Sequence, residues 1–304
     1  MRTLDSALPR LVHDRVPLVA LVGVTAIWGY TFVPVQQALV TFPVAGFLAV
    51  RFAVSALAIA PFAVGALSRT PRAGLAAGLL AGALLALAYG LQTAGLELTT
   101  VSSTGFITGL YVVFTPLLAL ALFRTPVPAI LWAGAVLSLA GLLMISGIPG
   151  GSIAGNALVL GNALAQALQI AVMERFAPRY DARALTLLQM LVSCGAFVLL
   201  AAALGQLELP RTWTVWYAAI ASGAFAGALG YLVATWVQSR TTAARAALVF
   251  TLEAPFAALF GVVLLSERLG WLGWAGCAVM LAGIVFAEPA AAAALRRLGP
   301  GRAR

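Results

Sequence analysis

The stretch WAGAVLSLAG, residues Trp132–Gly141, returns as WAGCAVMLAG at Trp274–Gly283, 142 positions later. The same offset pairs Tyr89 with Tyr231, Thr93 with Thr235, and Thr99-Thr100 with Thr241-Thr242. Matches of Ala and Gly are common in so Ala-rich a chain, but Trp, Tyr and Thr-Thr matches at one constant offset are not. The sequence therefore predicts an internal repeat with one copy in each half of the chain.

The composition around this repeat points to a membrane protein. Hydrophobic residues make up 62% of the chain, charged residues only 9%, and the mean hydropathy is +1.03. A soluble domain has roughly 25% charged residues, so this chain cannot cover itself with polar surface in water. A bilayer accepts apolar side chains on the outside of a fold, and we therefore expect lipid as the solvent.

The length of 304 residues leaves room for about ten membrane crossings and no sizeable soluble domain. Apolar stretches bounded by Arg, Pro or Gly predict the following spans: 16–36, 43–68, 73–96, 101–123, 127–147, 153–175, 184–205, 213–237, 243–265 and 270–288. Five spans in each half is an odd number, so the second half must enter the membrane in the opposite sense. The expected architecture is an all-α protein of two inverted five-helix repeats, with a substrate site near the midplane between them.

Loop charge supports this count, since positively charged loops stay on the cytoplasmic side. With the N-terminus inside, 15 of the 18 basic residues, all Arg, fall in inside segments. Only Arg211 and Arg268 fall outside, and Arg51 lies within span two. One missed span would destroy the asymmetry. We expect cytoplasmic tails at 1–15 and 289–304, and these tails flank two repeats at 16–147 and 148–288.

Pro116 and Pro255 are 139 positions apart, so spans four and nine are expected to diverge locally.

Motifs along most of the chain resemble those of one group of transporters. They are Trp28-Gly29-Tyr30-Thr31-Phe32, Arg51-Phe52, Thr115-Pro116, Glu253-Ala254-Pro255, Ser266-Glu267-Arg268-Leu269 and the second tryptophan stretch. In this order they resemble the drug/metabolite transporter superfamily, in its ten-span EamA-type branch. The resemblance implies a multi-pass protein of the bacterial inner membrane that exports metabolites such as amino acids. It also implies a central cavity formed mainly by spans one, three, four, six, eight and nine, and so adds Trp28 of span one to the cavity.

Two positions depart from the resemblance. The first half has Arg124-Thr125-Pro126 where the second has Ser266-Glu267-Arg268, so any role of that glutamate exists once. Span six carries Gln166 and Gln169 in a region where relatives often have Trp. This difference argues against an aromatic solute.

Polar residues recur at helical spacing in four spans, and polar side chains within a membrane normally face the bundle. The cavity candidates among them are Tyr89, Gln92, Thr108, Tyr111, Asn162, Gln166, Gln169, Tyr231 and Thr235. The alternative is that they only hydrogen-bond across packed helices, for about 0.6 kcal/mol each. We favour that alternative for isolated threonines. For the span-six amides and the tyrosine pair we favour a cavity.

Two charges lie deep within predicted spans. Glu253, two residues before Pro255, is either a proton or cation site, or a structural carboxyl that is protonated or paired with Arg. Arg51 would be costly against lipid, and we expect it to be a structural charge that pairs internally or snorkels outward.

The sequence favours a secondary transporter that works by alternating access. No G-x-x-x-x-G-K-[ST] motif for ATP is present, and no cofactor, metal or nucleic acid is expected. The expected partners are a small-molecule solute and membrane lipid, with monomer or homodimer left open. A multidrug or organic-cation efflux protein is the nearest alternative. An intramembrane lipid-modifying enzyme would need clustered catalytic residues, yet the one His is His13 in the tail. A non-transporting scaffold is a further alternative.

Overall fold

A computed structural model describes residues 8–99, 101–147, 151–266 and 268–287. Helices joined by short turns account for the chain in those residues, and no strand occurs among them. In chain order the helices are α1 (Leu8–Leu39), α2 (Val44–Leu67), α3 (Arg72–Leu98), α4 (Val101–Gly109), α5 (Tyr111–Phe123), α6 (Ala129–Ser146), α7 (Ile153–Phe176), α8 (Ala182–Ala203), α9 (Trp213–Ile220), a π-helix (Ala221–Gly230), α10 (Tyr231–Gln238), α11 (Ala243–Phe250), α12 (Glu253–Leu265) and α13 (Trp271–Ala287).

The helices fall into ten stretches that follow the ten predicted spans, because α4 with α5, α9 to α10, and α11 with α12 each form one span. In the described part of the chain, nine stretches are long and apolar enough to cross a membrane, and Trp271–Ala287 is a shorter apolar helix of 17 residues. The all-α membrane fold class is therefore confirmed. The inverted five-plus-five arrangement and the domain bounds stay predictions.

Both ends of the chain are predicted to be tails, and the structure describes part of the first and none of the second. Helix α1 begins at Leu8, so the second half of the predicted tail at 1–15 is helical. The tail predicted at 289–304 lies outside the described residues, as does Glu267 of the Ser266-Glu267-Arg268 turn.

Spans four and nine are interrupted at equivalent positions. Leu110 separates α4 from α5 and Leu252 precedes α12, 142 positions apart, and both have φ −59° and ψ −16°. Helices α5 and α12 both have 13 residues, and the residues that follow them, Arg124 and Ser266, have left-handed backbone angles with φ 55° and φ 56°. The expected local divergence is therefore wrong for the backbone. The prolines do differ in position, since Pro255 is in the first turn of its helix, where a missing N–H is tolerated, and Pro116 lies further in.

The tryptophan stretches that reveal the repeat form the contact between α6 and α13. Gly134 lies against the carbonyl of Gly283, and Gly141 lies against the carbonyl of Gly276. Each glycine of one stretch thus meets the opposite glycine of the other, so the two helices run antiparallel. A side chain at any of the four would collide with the facing backbone, which explains why small residues recur there.

The two ends of the helix bundle are packed differently. Helix α11 packs against α5 and α7. Under the 142-residue offset, the equivalent contacts at the other end would join α4 to α12 and α4 to α1. Among the described residues these have no comparable packing. The bundle is therefore closed at the end formed by α5 and α11, which the arginine count assigns to the cytoplasm, and looser at the end formed by α4 and α12.

Candidate functional site

Two equivalent tyrosines meet in the middle of the bundle. Tyr89 on α3 and Tyr231, the first residue of α10, are related by the 142-residue offset, and their phenol groups interact. Tyr231 is 6% exposed, whereas Tyr89 is only partly buried. We call the residues around this pair the central cluster: Trp28, Arg51, Tyr89, Tyr111, Tyr231, Phe250 and Glu253.

Arg51 on α2 belongs to this cluster. Its Nη2 donates a hydrogen bond to the Tyr89 hydroxyl at 3.2 Å, and its Cζ lies 5.0 Å from the centre of the Tyr89 ring. The residue is 9% exposed, so it does not snorkel outward. Of the two alternatives that the sequence left open, the structure has the internal partner, Tyr89, which lies 38 positions away in the sequence. The partner is one of the cavity candidates, which places the guanidinium at the candidate site.

Glu253 and Tyr111 face the same region from the two interrupted spans. They are the first residues of α12 and α5, and therefore equivalent under the repeat. Glu253 interacts electrostatically with Tyr111, with Tyr231 and with Arg51. Glu253 is partly exposed and Tyr111 is buried. A polar residue thus follows each helix break, and of the two, Glu253 interacts with the tyrosine pair through Tyr231.

Trp28 closes one side of the central cluster. Its ring centre lies 5.5 Å from that of Tyr231 and 5.2 Å from that of Phe250. Its Nε1 donates to the carbonyl of Ala226 at 2.9 Å. Ala226 lies in the π-helix, a form often found at functional sites. The change in hydrogen-bond pattern there leaves backbone carbonyls able to accept from side chains. The indole N–H is therefore used by the protein, and the ring faces are what Trp28 offers to a solute.

A second group, the amide cluster, joins α3, α4 and α7. Thr108 Oγ1 accepts from Gln92 Nε2 at 3.3 Å and from Asn162 Nδ2 at 2.8 Å. Gln166 follows Asn162 by one helical turn and is partly exposed. These neutral groups can donate to and accept from a solute without fixing a charge.

Two predicted cavity residues are instead occupied in helix packing. Gln169 Nε2 donates to Gln189 Oε1 on α8 at 2.7 Å, and both amides are buried. Thr186 Oγ1 donates to Thr235 Oγ1 at 3.4 Å. These contacts are of the kind that glues membrane helices together. Gln189 and Phe250 were missed from the sequence. Gln189 is a polar residue inside an apolar span. It could have been found as Gln169 was, because polar side chains within a membrane normally face the bundle.

A surface cavity of about 750 Å³ lies at the end of the bundle assigned to the cytoplasm. Its lining includes Tyr180, Asp181, Arg183, Trp236 and Arg240. The hydrogen bond from Arg183 lowers the pKa of Asp181, and the two side chains form an ion pair at 2.7 Å. Among the described residues, no three His, Cys, Asp or Glu side chains are grouped so as to hold a metal ion.

Known proteins resemble this chain in sequence and in fold. The model of the EamA-like transporter family matches residues 16–147 and 153–287. An uncharacterized transporter of Archaeoglobus fulgidus is 29% identical over 264 residues, covering 86% of this chain and 82% of the relative. One crystal structure, described only as that of a protein, superposes with a TM-score of 0.75 at 18% identity, over 92% of this chain and 98% of that one, and shows a shared fold. The chain is a multi-pass membrane protein that belongs to the EamA-like transporter family.

Proposed function

We propose that this transporter exports small organic metabolites, amino acids or related compounds, across the bacterial inner membrane as a secondary transporter. The observation that carries the proposal is the central cluster. A membrane protein keeps charged and phenolic groups within its spans only at a cost, and such groups normally mark a solute or ion pathway. Here Arg51, Tyr89, Tyr231 and Glu253 come from both halves of the chain and interact at one place.

The uneven packing of the bundle supports alternating access. Helix α11 contacts α5 and α7, whereas the equivalent contacts of α4 are weak among the described residues. Inverted repeats can exchange such packings, so that the closed end opens as the open end closes. The central cluster would then be reached from each side in turn.

Glu253 is the group best placed to couple transport to protons. It begins a half-helix, it is partly exposed, and it is the acidic residue of the central cluster. One carboxylate can hold either a proton or the ammonium group of a solute, but not both. When the solute is released outside, a proton takes the place of its ammonium group on Glu253. The proton is then carried inward as the transporter returns, and this exchange of solute for proton is antiport.

An organic-cation transporter is the second candidate, because Trp28 packs against Tyr231 and Phe250, and Tyr231 interacts electrostatically with Glu253. Aromatic faces beside a carboxylate bind quaternary amines. Arg51 in the same cluster opposes a purely cationic solute by charge repulsion. The amino-acid class is therefore favoured.

The test is an uptake screen in proteoliposomes with labelled amino acids and quaternary amines, with and without a pH gradient. We expect an amino acid to accumulate under the gradient, and protein-free liposomes serve as the control. Accumulation of quaternary amines alone would favour the second candidate. If no solute moved under any gradient, the transporter mechanism proposed for this site would be wrong.

A further inference from the structure

Arg51 has more hydrogen-bond donors than the protein uses. Its Nη2 donates to Tyr89, but its Nε is buried and has no hydrogen-bond partner. Within the described part of the chain, no carboxylate lies within 4.0 Å of this guanidinium. A buried arginine without a paired carboxylate is costly, since removing a charge from water is repaid only by a close partner. The protein alone does not supply that partner.

Both the backbone and the side chain of Arg51 are held by their surroundings. The Arg51 carbonyl accepts a hydrogen bond from Ser55 Oγ at 2.9 Å, and the same Oγ lies 2.9 Å from the carbonyl of Gly223 in the π-helix. The guanidinium lies over the Tyr89 ring and 5.8 Å from the centre of the Phe52 ring. Arg51 is therefore oriented before any solute arrives, which reduces the entropy lost on binding.

The opposite charge in the central cluster is near Arg51 but not bonded to it. Glu253 interacts electrostatically with Arg51, yet no ion pair joins them in the described residues. A purely structural pair would close to contact and satisfy the free donor. Two opposite charges held apart in one cluster instead match a solute that carries both a carboxylate and an ammonium group.

We propose that Arg51 binds the carboxylate of the transported solute, with Nε and its neighbouring Nη as a two-pronged donor, while Glu253 takes the ammonium end. Arg51 is then a specificity-determining residue that restricts transport to zwitterions. This inference rests on the proposed function, because it assigns the two ends of a solute within the same site. The guanidinium fork is the side chain best shaped to bind a carboxylate through two hydrogen bonds.

The experiment measures binding to the purified full-length protein in nanodiscs for three probes that share one side chain: L-leucine, L-leucine methyl ester and 4-methylpentanoate. Matched sets built on methionine and threonine cover other side chains. We expect the zwitterion of at least one set to bind roughly 10- to 100-fold more tightly than its ester. Arg51→Gln removes that advantage without weakening ester binding, because the ester has no carboxylate and loses only a charge repulsion, whereas Arg51→Lys retains part of it. Arg211→Gln, an exposed arginine ion-paired to Glu208, is the control and changes nothing.

Three results separate the possible failures. Equal binding of an amino acid and its ester by the unmodified protein overturns the inference and needs no variant. Arg51→Gln weakening all probes by one common factor also overturns it, because that is the behaviour of a structural residue. In either case transport in the uptake screen leaves the proposed function standing. If no probe binds and no solute moves in that screen, the proposed function fails first. Should Arg51→Gln not fold, Tyr89→Phe, which removes the Nη2 acceptor, tests the same ratio.

Discussion

The two interrupted spans have the same backbone and different chemistry. Leu110 and Leu252 have identical angles, and α5 and α12 have equal lengths. Yet the residue after the break is Tyr111 in one half and Glu253 in the other, and α12 has one buried residue, Gly261, where α5 has five. The repeat thus conserves the scaffold that brings a polar group to the centre, while the group itself differs between the halves.

The same contrast holds at the position of Arg51. Its equivalent under the 142-residue offset is Ser193, whose hydroxyl donates to the carbonyl of Gly82 at 3.4 Å and contributes to helix packing. One half therefore supplies a cation and the other an acid, while the tyrosine pair is common to both. The difference indicates that the two halves bind chemically different ends of the solute, although their backbones are equivalent.

The largest effect is expected from removing the charge that only the second half has. Glu253→Gln should abolish transport driven by a pH gradient, by roughly 100-fold or more, since the lost group is a partly desolvated charge partner. The matched change at the equivalent position, Tyr111→Phe, should cost less than about 10-fold by the same reasoning. Initial rates in proteoliposomes measure both. Proton coupling that survives Glu253→Gln would mean that Glu253 is not the proton site.

The scaffold glycines should behave alike in the two halves. Gly141→Leu and Gly276→Leu each force a side chain against the facing backbone, and we expect each to destabilise the protein by about 1–3 kcal/mol. Thermal unfolding in detergent measures this, with Gly23→Leu as the control because nothing lies near that position. Strongly unequal losses for the two glycines would contradict a symmetric contact between α6 and α13.

The span-six amides allow binding and packing to be separated. Gln169→Leu leaves the buried Gln189 amide without its partner and should cost about 1–3 kcal/mol of stability, which the double change Gln169→Leu with Gln189→Leu restores. Gln166→Ala should leave stability unchanged and weaken solute affinity. If the solute affinity of Gln166→Ala is unaltered, Gln166 contributes to helix packing and not to solute binding.

The smallest effect is expected for Asp181, whose equivalent under the 142-residue offset is the uncharged Leu39. Asp181 caps α8 by accepting from the Arg183 N–H, and Arg183 lowers the pKa of its carboxyl below the ordinary 3.8. Its charge therefore stabilises the folded state above the ordinary pKa, and this contribution is lost as the pH falls through the lowered value. Asp181→Asn keeps the cap and should cost less than about 1 kcal/mol at pH 7, since the pair is exposed. Thermal unfolding at pH 7 and at a series of pH values below 3.8 should show the difference shrink steadily as the pH falls.

The sequence was sufficient for the fold because its evidence is long-range and redundant. Span boundaries followed from hydropathy, and the offset between Trp132 and Trp274 reappears in the helix breaks and in the glycine contacts. Side-chain partners were not predictable in the same way. Helical spacing placed Asn162, Gln166 and Gln169 on one face, but that face turns from the amide cluster at Asn162 to α8 at Gln169. Likewise, nothing local to Arg51 indicated that its partner would be Tyr89.

In the proposed mechanism, two halves of equal backbone exchange their packing around one asymmetric site. The direct test is a pair of spin-label distances in a variant whose two cysteines, Cys194 and Cys277, are replaced by alanine. One pair joins Leu98 and Leu264 at the looser end, and the other joins Leu122 and Arg240 at the closed end, all exposed positions. With the best-transported solute at saturation, the account predicts that the first distance shortens as the second lengthens. Distances that both stay fixed, or that change in the same direction, would contradict it.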